Sequence, residues 1–387
     1  MGKQKAPGLD GFTVLFFRRY WHVIGEEVWM AILKILETRV LPEGLNHTLI
    51  ALIPKTKKPV SPKEFRPISL CNVLYKIISK VLANRLKTVL DRIISSEQSA
   101  FVPGRFITDN VMAAFECFHT MKKSKKRKHG FFAAKIDMAK TYDRVECKFL
   151  EGVMQRMGFV EGWIKLIMMG VTAVSYSVLV NGYASQIFVP SRGIWQGDPL
   201  SPYLFLLCAE GLSAYVTKAM TEGRLHGLQV TRGAPVITHL FFADDSILFA
   251  RATQQESLEL KRILQAYERE SGQQVNYQKS EVSFATNVNP HNKLIVGGTL
   301  GMPIVEKQDK YLGLATEVGR SKKELFAGLK ERVRKKLKGW KERTMSVAAR
   351  ETLIKSVAQA QLSYAMSVFK IPDGILDEIQ SLIINFW

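Results

Sequence analysis

Ile237-Thr238-His239-Leu240-Phe241-Phe242-Ala243-Asp244-Asp245-Ser246-Ile247-Leu248-Phe249-Ala250 sets two apolar runs on either side of a pair of carboxylates. Each run has the length and composition of a buried strand, and the Asp pair falls where a hairpin would turn. Bare carboxylates beside such a core are costly unless something positive compensates them. A bound divalent cation is one answer. A solvated turn is the other, because Asp is a favoured turn residue. The stretch alone leaves both open.

Composition narrows the field. The chain has 387 residues, 47% of them hydrophobic, enough for a large core and about two or three subdomains. Lys and Arg number 55 against 35 Asp and Glu, a formal net charge of +20. An excess of that size points to a polyanionic partner, and the interleaved aromatic and basic residues favour nucleic acid over a membrane surface. No stretch is long and apolar enough to span a bilayer, and no secretory signal opens the chain. Cys71, Cys117, Cys147 and Cys208 form no Cys-x-x-Cys pair, so neither a zinc ribbon nor a disulfide framework is expected.

Outward from the Asp pair, the remaining elements read as follows. Lys5 to Phe12 is a turn-rich loop, and apolar residues from Phe16 to Leu36 recur at helix spacing. Leu49 to Lys55 is a strand stopped by Pro54. A loop with four lysines, Lys55 to Lys63, leads to Phe65-Arg66-Pro67-Ile68-Ser69. Lys55 and Arg66, at the two ends of that loop, could close on a triphosphate. A helix over about 72–90 turns Lys76, Lys80 and Lys87 outward as a stripe for a phosphate backbone or for water. Lys122 to Lys128 holds six cations in seven residues, a solvated connector and a candidate import signal. Phe131 to Asp137 is a strand ending in a carboxylate, and the helix after it, with Val145 to Met157 on one side, stops at Gly158. Asn181-Gly182 makes a hairpin between Val174–Val180 and Tyr183–Val189. The Gly-bearing loop Ser191 to Pro199 enters a helix reaching about Met220 with Tyr215 inward, and another helix covers about 256–271. From Arg320 to Arg350 there are twelve Lys or Arg and three Glu, so a boundary is placed near Val318.

The carboxylates then form a pattern. A strand ends in Asp137, and about a hundred residues later a hairpin turns at Asp244-Asp245. Joining nucleotides calls for two divalent metals about 3.5–4 Å apart. Magnesium takes a few carboxylates plus waters and substrate oxygens. Asp residues on adjacent strand ends meet that demand.

Six stretches stand in one order: Lys5-Ala6-Pro7-Gly8-Leu9-Asp10-Gly11, Phe65-Arg66-Pro67-Ile68-Ser69-Leu70, Lys135 to Val145, Gln196-Gly197-Asp198-Pro199-Leu200-Ser201-Pro202, Phe242-Ala243-Asp244-Asp245, and Tyr311-Leu312-Gly313. In these the sequence resembles the reverse transcriptase domain of plant LINE-type non-LTR retrotransposons. The resemblance implies an α+β right-hand polymerase: a fingers-rich region over 1–130, a palm with an antiparallel sheet over 131–318, and a basic helical thumb over 319–387. It implies an RNA-directed DNA polymerase that extends a primer 3′-hydroxyl with dNTPs. Its partners would be an RNA template and a DNA primer. Two Mg2+ ions, with Mn2+ as a substitute, would be held by Asp137 and Asp244, with Asp245 as the weaker contributor. Tyr142 would reject a ribose 2′-hydroxyl, and Gln196 and Gly197 would shape the nucleotide pocket. Arg66 and Lys55 would grip the triphosphate, and Lys279 would protonate the leaving pyrophosphate. Tyr311, Leu312 and Gly313 would form the primer grip.

Departures from the family pattern are Thr141 for Ala and Trp195 for a basic residue, both expected to crowd the pocket, with Ala315 and Leu9 for Pro. The chain shows no endonuclease domain, no Cys/His cluster and no RNase H region, as a piece of a larger element protein or a decayed copy would. A catalytically decayed nucleic-acid-binding relic is therefore the alternative reading, and a group II intron maturase relative a third. Family behaviour implies a nuclear location, with a cytoplasmic one as the alternative.

Overall fold

A computed structural model describes residues 2, 6–124, 129–308, 310–316, 322–341 and 345–387. Lys5, most of the 122–128 cationic run and the boundary at Val318 lie outside the described residues. The strands are β1 (His47–Pro54), β2 (Phe65–Leu70), β3 (Phe131–Ile136), β4 (Ser175–Val180), β5 (Tyr183–Ala184) and β6 (Leu228–Gln229). They continue with β7 (Val236–Ile237), β8 (His239–Phe242), β9 (Asp245–Arg251), β10 (Glu281–Phe284), β11 (Lys310–Tyr311) and β12 (Leu314–Ala315).

Two four-stranded sheets organise the chain. The first runs β10-β3-β9-β8 and is antiparallel throughout. β3 and the middle of β9 read as near-continuous apolar runs because both faces are covered, and Phe132, Ala133, Ala134, Leu248 and Phe249 are all buried. The helices Ile107–Lys123, Ser201–Thr221 and Gln254–Ser271 contribute to this core. The second sheet runs β2-β1-β4-β5, with β1 parallel to β4. Its hairpin turns at Asn181 (φ 52°) and Gly182 (φ 86°), the left-handed pair that a two-residue turn demands. A second core joins the helices Trp21–Thr38, Val73–Lys87, Cys147–Arg156 and Glu161–Thr172 to the opposite side of Ser201–Thr221. That helix is apolar almost all round because it serves both cores. A third core gathers Phe326, Leu329, Val333 and Leu337 of the helix Lys322–Lys341 against Ile375 and Ile379 of Asp373–Phe386.

Several expectations need correcting. The apolar pattern from Phe16 to Leu36 is two helices, Val14–Arg19 and Trp21–Thr38, parted at Tyr20. Residues 65–70 are a full strand, so Arg66 sits inside β2 opposite Ile53 rather than at a loop end. The lysine stripe does not exist as one. Lys76 is only 6% exposed and its ammonium donates to the Ala6 carbonyl at 3.4 Å, while Lys87 lies 5.2 Å over the Tyr203 ring. Tyr183–Val189 yields only the two residues of β5 and a bridge from Phe188 to Tyr176. Val145 precedes its helix, which begins at Cys147. Tyr215 is half-buried, with its hydroxyl donating to Glu270 at 2.6 Å. The helix Pro290–Leu300 carries its own local signals: Asn289 caps it, Pro290 opens it, and Gly301 ends it in the left-handed region.

Candidate active site

The strand register brings the carboxylates together. Ile136 pairs with Ser246 across β3 and β9, so the next residue, Asp137, faces Asp245. Residues directly opposite in an antiparallel pair have Cα atoms about 4.5–5.5 Å apart. Phe242 pairs with Asp245, which leaves Ala243 and Asp244 as a two-residue turn. Asp137, Asp244 and Asp245 are all exposed at that one end of the sheet. Burial, then the charge of Asp244, with a further push from Asp137, raises the Asp245 carboxyl above the usual range; Lys135 works the other way. The Lys135 ammonium donates to the Lys310 carbonyl at 3.2 Å.

The turn itself is unusual. Ala243 has φ 54°, a left-handed conformation that costs a non-glycine residue about 1–2 kcal/mol. It is held there by Gln98, which is 1% exposed and whose Oε1 accepts from the N–H groups of Ala243 and Ala100, both at 3.0 Å. The backbone on either side of Gln98 pairs with Phe241: the Phe241 N–H donates to Glu97 at 2.8 Å and the Ser99 N–H donates to Phe241 at 3.1 Å. Asn110 Nδ2 donates to the Phe241 carbonyl at 2.7 Å. Gln98 and Asn110 were not picked out from the sequence. The one available signal was polar residues amid an otherwise apolar loop and helix.

Asp137 is fixed through its main chain. Its N–H donates to Ser280 Oγ at 3.0 Å, and its carbonyl accepts from the Asn276 N–H at 2.7 Å. Lys279 is therefore carried on a turn bonded directly to the Asp137 backbone, with its side chain exposed.

The nucleotide-pocket candidates form a second group beside the first. Tyr142 stacks on Phe205 with ring centroids 5.2 Å apart. Burial, and then the Asp244 charge, pushes its hydroxyl up to about 12, which ties the ring to the carboxylate end. The loop carrying Gln196 is bonded on both sides. The Ile194 N–H donates to the Tyr142 carbonyl at 2.8 Å, and the Ser69 N–H of β2 donates to the Gln196 carbonyl at 3.1 Å. Gly197 has φ 117°, and a Cβ there would meet the Ser69 carbonyl at 3.2 Å, so glycine is required for the close approach. Asp143 is raised by burial and pulled back by Lys140, Arg144 and then Lys55, which brings Lys55 to this side of the site. The Lys55 ammonium donates to the Lys63 carbonyl at 3.0 Å, and Arg66 is exposed on β2.

Trp195 does not crowd this pocket. It is 3% exposed, packed 4.7 Å from Tyr75 and 6.4 Å from Tyr176 in a small core of its own. Thr141 is also buried, and its carbonyl accepts from Gln273 Nε2 at 3.2 Å. Asp198 is buried behind the loop, where desolvation pushes its carboxyl up to about 6 against donors from Leu200 and Ser201.

Tyr311 and Gly313 divide differently than a grip of three contacts would. Leu312 (φ 49°) and Gly313 (φ 80°) form the tight turn between β11 and β12. The Tyr311 ring is 2% exposed, and its hydroxyl donates to Asn110 Oδ1 at 2.9 Å. Tyr311 anchors this turn from below, and Gly313 is exposed at its tip.

The acid cluster fits a divalent cation by its chemistry. Three carboxylates share one end with Lys135 as the cation that pulls against Asp245. Among the described residues, no group of three His, Cys, Asp or Glu side chains closes on a single ion by itself. Magnesium does not need such a cage; one or two carboxylates with water and substrate phosphates suffice.

An antiparallel sheet with carboxylates at one end, helices behind it and a strand-bearing subdomain over it is the palm and fingers of a right-hand polymerase. Residues 53–316 match the family described as Reverse transcriptase (RNA-dependent DNA polymerase), and the chain belongs to that family. Among its relatives is the transposon TX1 uncharacterized 149 kDa protein of Xenopus laevis, 27% identical across 100% of this chain and 29% of that protein. The Pol polyprotein from the type-2 retrotransposable element R2DM of Drosophila melanogaster is 28% identical across 63% of this chain and 22% of its own length. An uncharacterized mitochondrial protein of Arabidopsis thaliana is 52% identical over 68 residues, 18% of this chain and 56% of that protein. The chain thus spans under a third of the TX1 and R2DM proteins, both non-LTR retrotransposon relatives. Reverse transcriptases generally use divalent metal ions and bind a template and a primer. No described helix is long and apolar enough to cross a membrane.

Proposed function

We propose that this chain is the polymerase portion of a plant LINE-type element protein, extending a DNA primer with dNTPs along an RNA template. The observation that carries the reading is the meeting of Asp137, Asp244 and Asp245 at one sheet end, with Tyr142 and the Gln196–Gly197 loop beside them. The short, closer match to an Arabidopsis protein supports the plant assignment. In this reading 1–130 is rich in fingers, 131–318 is palm, and 319–387 is thumb.

Asp137 and Asp244, with Asp245 assisting, would hold two magnesium ions, with manganese as a substitute. When bound, the ions supply activation of the primer hydroxyl and neutralisation of phosphate charge. The chain's own residues do the remaining work. The Tyr142 ring, braced by Phe205, fills the space a ribose 2′-hydroxyl would need. Gly197 lets the Gln196 backbone lie close against β2, which shapes the wall for the incoming base. Lys55 and Arg66 approach the triphosphate from the fingers sheet. Lys279, carried on the turn bonded to Asp137, gives a proton to departing pyrophosphate in this reading. Gly313 meets the primer backbone. Because Trp195 is withdrawn into its own core, the departure there does not favour a decayed relic.

The test is extension of oligo(dT) on poly(rA) by the parent and by Asp137→Ala. Extension by the parent alone is expected. Equal extension by both would remove Asp137 from the chemistry.

A further inference from the structure

At the far end of β9 from the carboxylates lies a cavity of about 490 Å³ that the polymerase reading does not use. Arg251 lies six residue steps beyond Asp245, so the two ends of β9 stand about 20 Å apart. The volume is in the range of small-ligand sites, about 300–1,000 Å³.

Its walls are chemically divided. Phe131, Leu225 and Val236 supply apolar surface, and Arg232 and Arg251 supply two guanidinium groups. Among the described residues no carboxylate lines it. A buried acid close by, Glu256, is already engaged. Its Oε2 accepts from the backbone N–H groups of His226 at 3.0 Å and Arg251 at 2.9 Å, and its Oε1 meets His226 Nδ1 at 2.9 Å. Arg251 Nε is buried and makes no hydrogen bond with any described residue. Arg232 rides on the β6–β7 hairpin, whose loop is closed by Ala234 N–H to Thr231 at 3.1 Å and by Gln229 Nε2 to Ala234 at 2.8 Å. The hairpin thus presents its guanidinium from a braced loop rather than from a free tail.

Two arginines on one cavity wall, with no carboxylate lining it among the described residues, favour an anionic ligand. An apolar wall beside two guanidinium groups suits a flat apolar body carrying phosphate. We infer that this cavity binds a nucleotide unit, with its base against Phe131 and Val236 and its phosphate between Arg232 and Arg251. The shared chemistry is a nucleoside phosphate, either within a single strand or free. The inference does not depend on the polymerase assignment.

The test uses the full chain and a single-stranded 12-nucleotide RNA carrying 4-thiouridine. The strand is photocrosslinked and the attached peptide is mapped. Arg232→Glu, at an exposed loop, is compared with the parent and with Lys165→Glu, an exposed reversal on another helix. Circular dichroism and the melting temperature check that each variant is folded. Arg251→Gln serves as a second variant. The expected result is a crosslink within 220–237 that Arg232→Glu abolishes and Lys165→Glu does not. Affinity for the strand should fall about tenfold, the factor of one charge-assisted bond, with the salt slope reduced by about one. Competition by uridine monophosphate at millimolar concentration would assign the site to free nucleotide. Persistence of the crosslink under that competition would assign it to the strand. No crosslink in 220–237, together with an unchanged salt slope in folded Arg232→Glu, would overturn the inference.

Discussion

Replacing Gln98 by Met keeps the side-chain length and removes both polar atoms. In the folded chain Oε1 accepts two N–H groups, the buried one of Ala100 and the half-buried one of Ala243. Each orphaned donor costs about 1–3 kcal/mol, so the gross loss is about 2–6 kcal/mol. The Gln98 Nε2 group makes no hydrogen bond with a described residue, and its removal returns about 1–3 kcal/mol of desolvation. Taking the middle of each range, the net expectation is about 2 kcal/mol of destabilisation, read from urea unfolding. Activity should fall further than stability explains. Without the Gln98 clamp, Ala243 can relax from its left-handed φ, and Asp244 follows it away from Asp137. The same logic makes Ala243→Gly tolerated, since glycine occupies that conformation freely. Primer extension at low temperature, where Gln98→Met is still folded, measures the second effect. A stability change below about 0.5 kcal/mol with unchanged extension would refute the clamp.

Three other substitutions separate positioning from contact. Asp198 is buried with a carboxyl raised to about 6, so its charged form burdens the fold above that pH and the burden vanishes as pH falls below its ordinary value near 4. The stability advantage of Asp198→Asn over the parent should therefore grow from pH 4 to pH 7 in parallel denaturation curves; a difference independent of pH would contradict it. Trp195→Arg restores a residue type common in the family but places a cation between Tyr75 and Tyr176; a loss of about 3 kcal/mol or more is expected in thermal melts, where a pocket-facing residue would tolerate the change. Tyr311→Phe removes the hydroxyl bonded to Asn110 and should cost about 1 kcal/mol in unfolding with primer affinity unchanged, whereas loss of primer binding without loss of stability would make the hydroxyl itself a primer contact.

The carboxylate hairpin was legible because its signal is local: two apolar runs and a polar pair fix strand, turn and strand within fourteen residues. The Asn181-Gly182 hairpin was legible for the same reason. The family motifs supplied what spacing could not, the pairing of Asp137 with a hairpin about a hundred residues away. What escaped was decided by distant packing. Lys76 looks like a surface cation on a helical wheel, but the N-terminal segment passes over it. Trp195 adjoins the pocket glutamine in sequence, yet the irregular loop turns it toward Tyr75. Gln98 and Ser280 hold the catalytic backbone through single hydrogen bonds between remote segments, and no periodicity marks such a bond.

The most direct test of the central claim is nucleotide incorporation by Asp244→Ala measured beside its affinity for the poly(rA)/oligo(dT) duplex. Loss of magnesium-dependent incorporation with duplex affinity kept is the predicted result, because Asp244 is exposed at a turn and supports chemistry rather than folding. Incorporation at the parent's rate would contradict the assignment of the sheet end as the site of polymerisation.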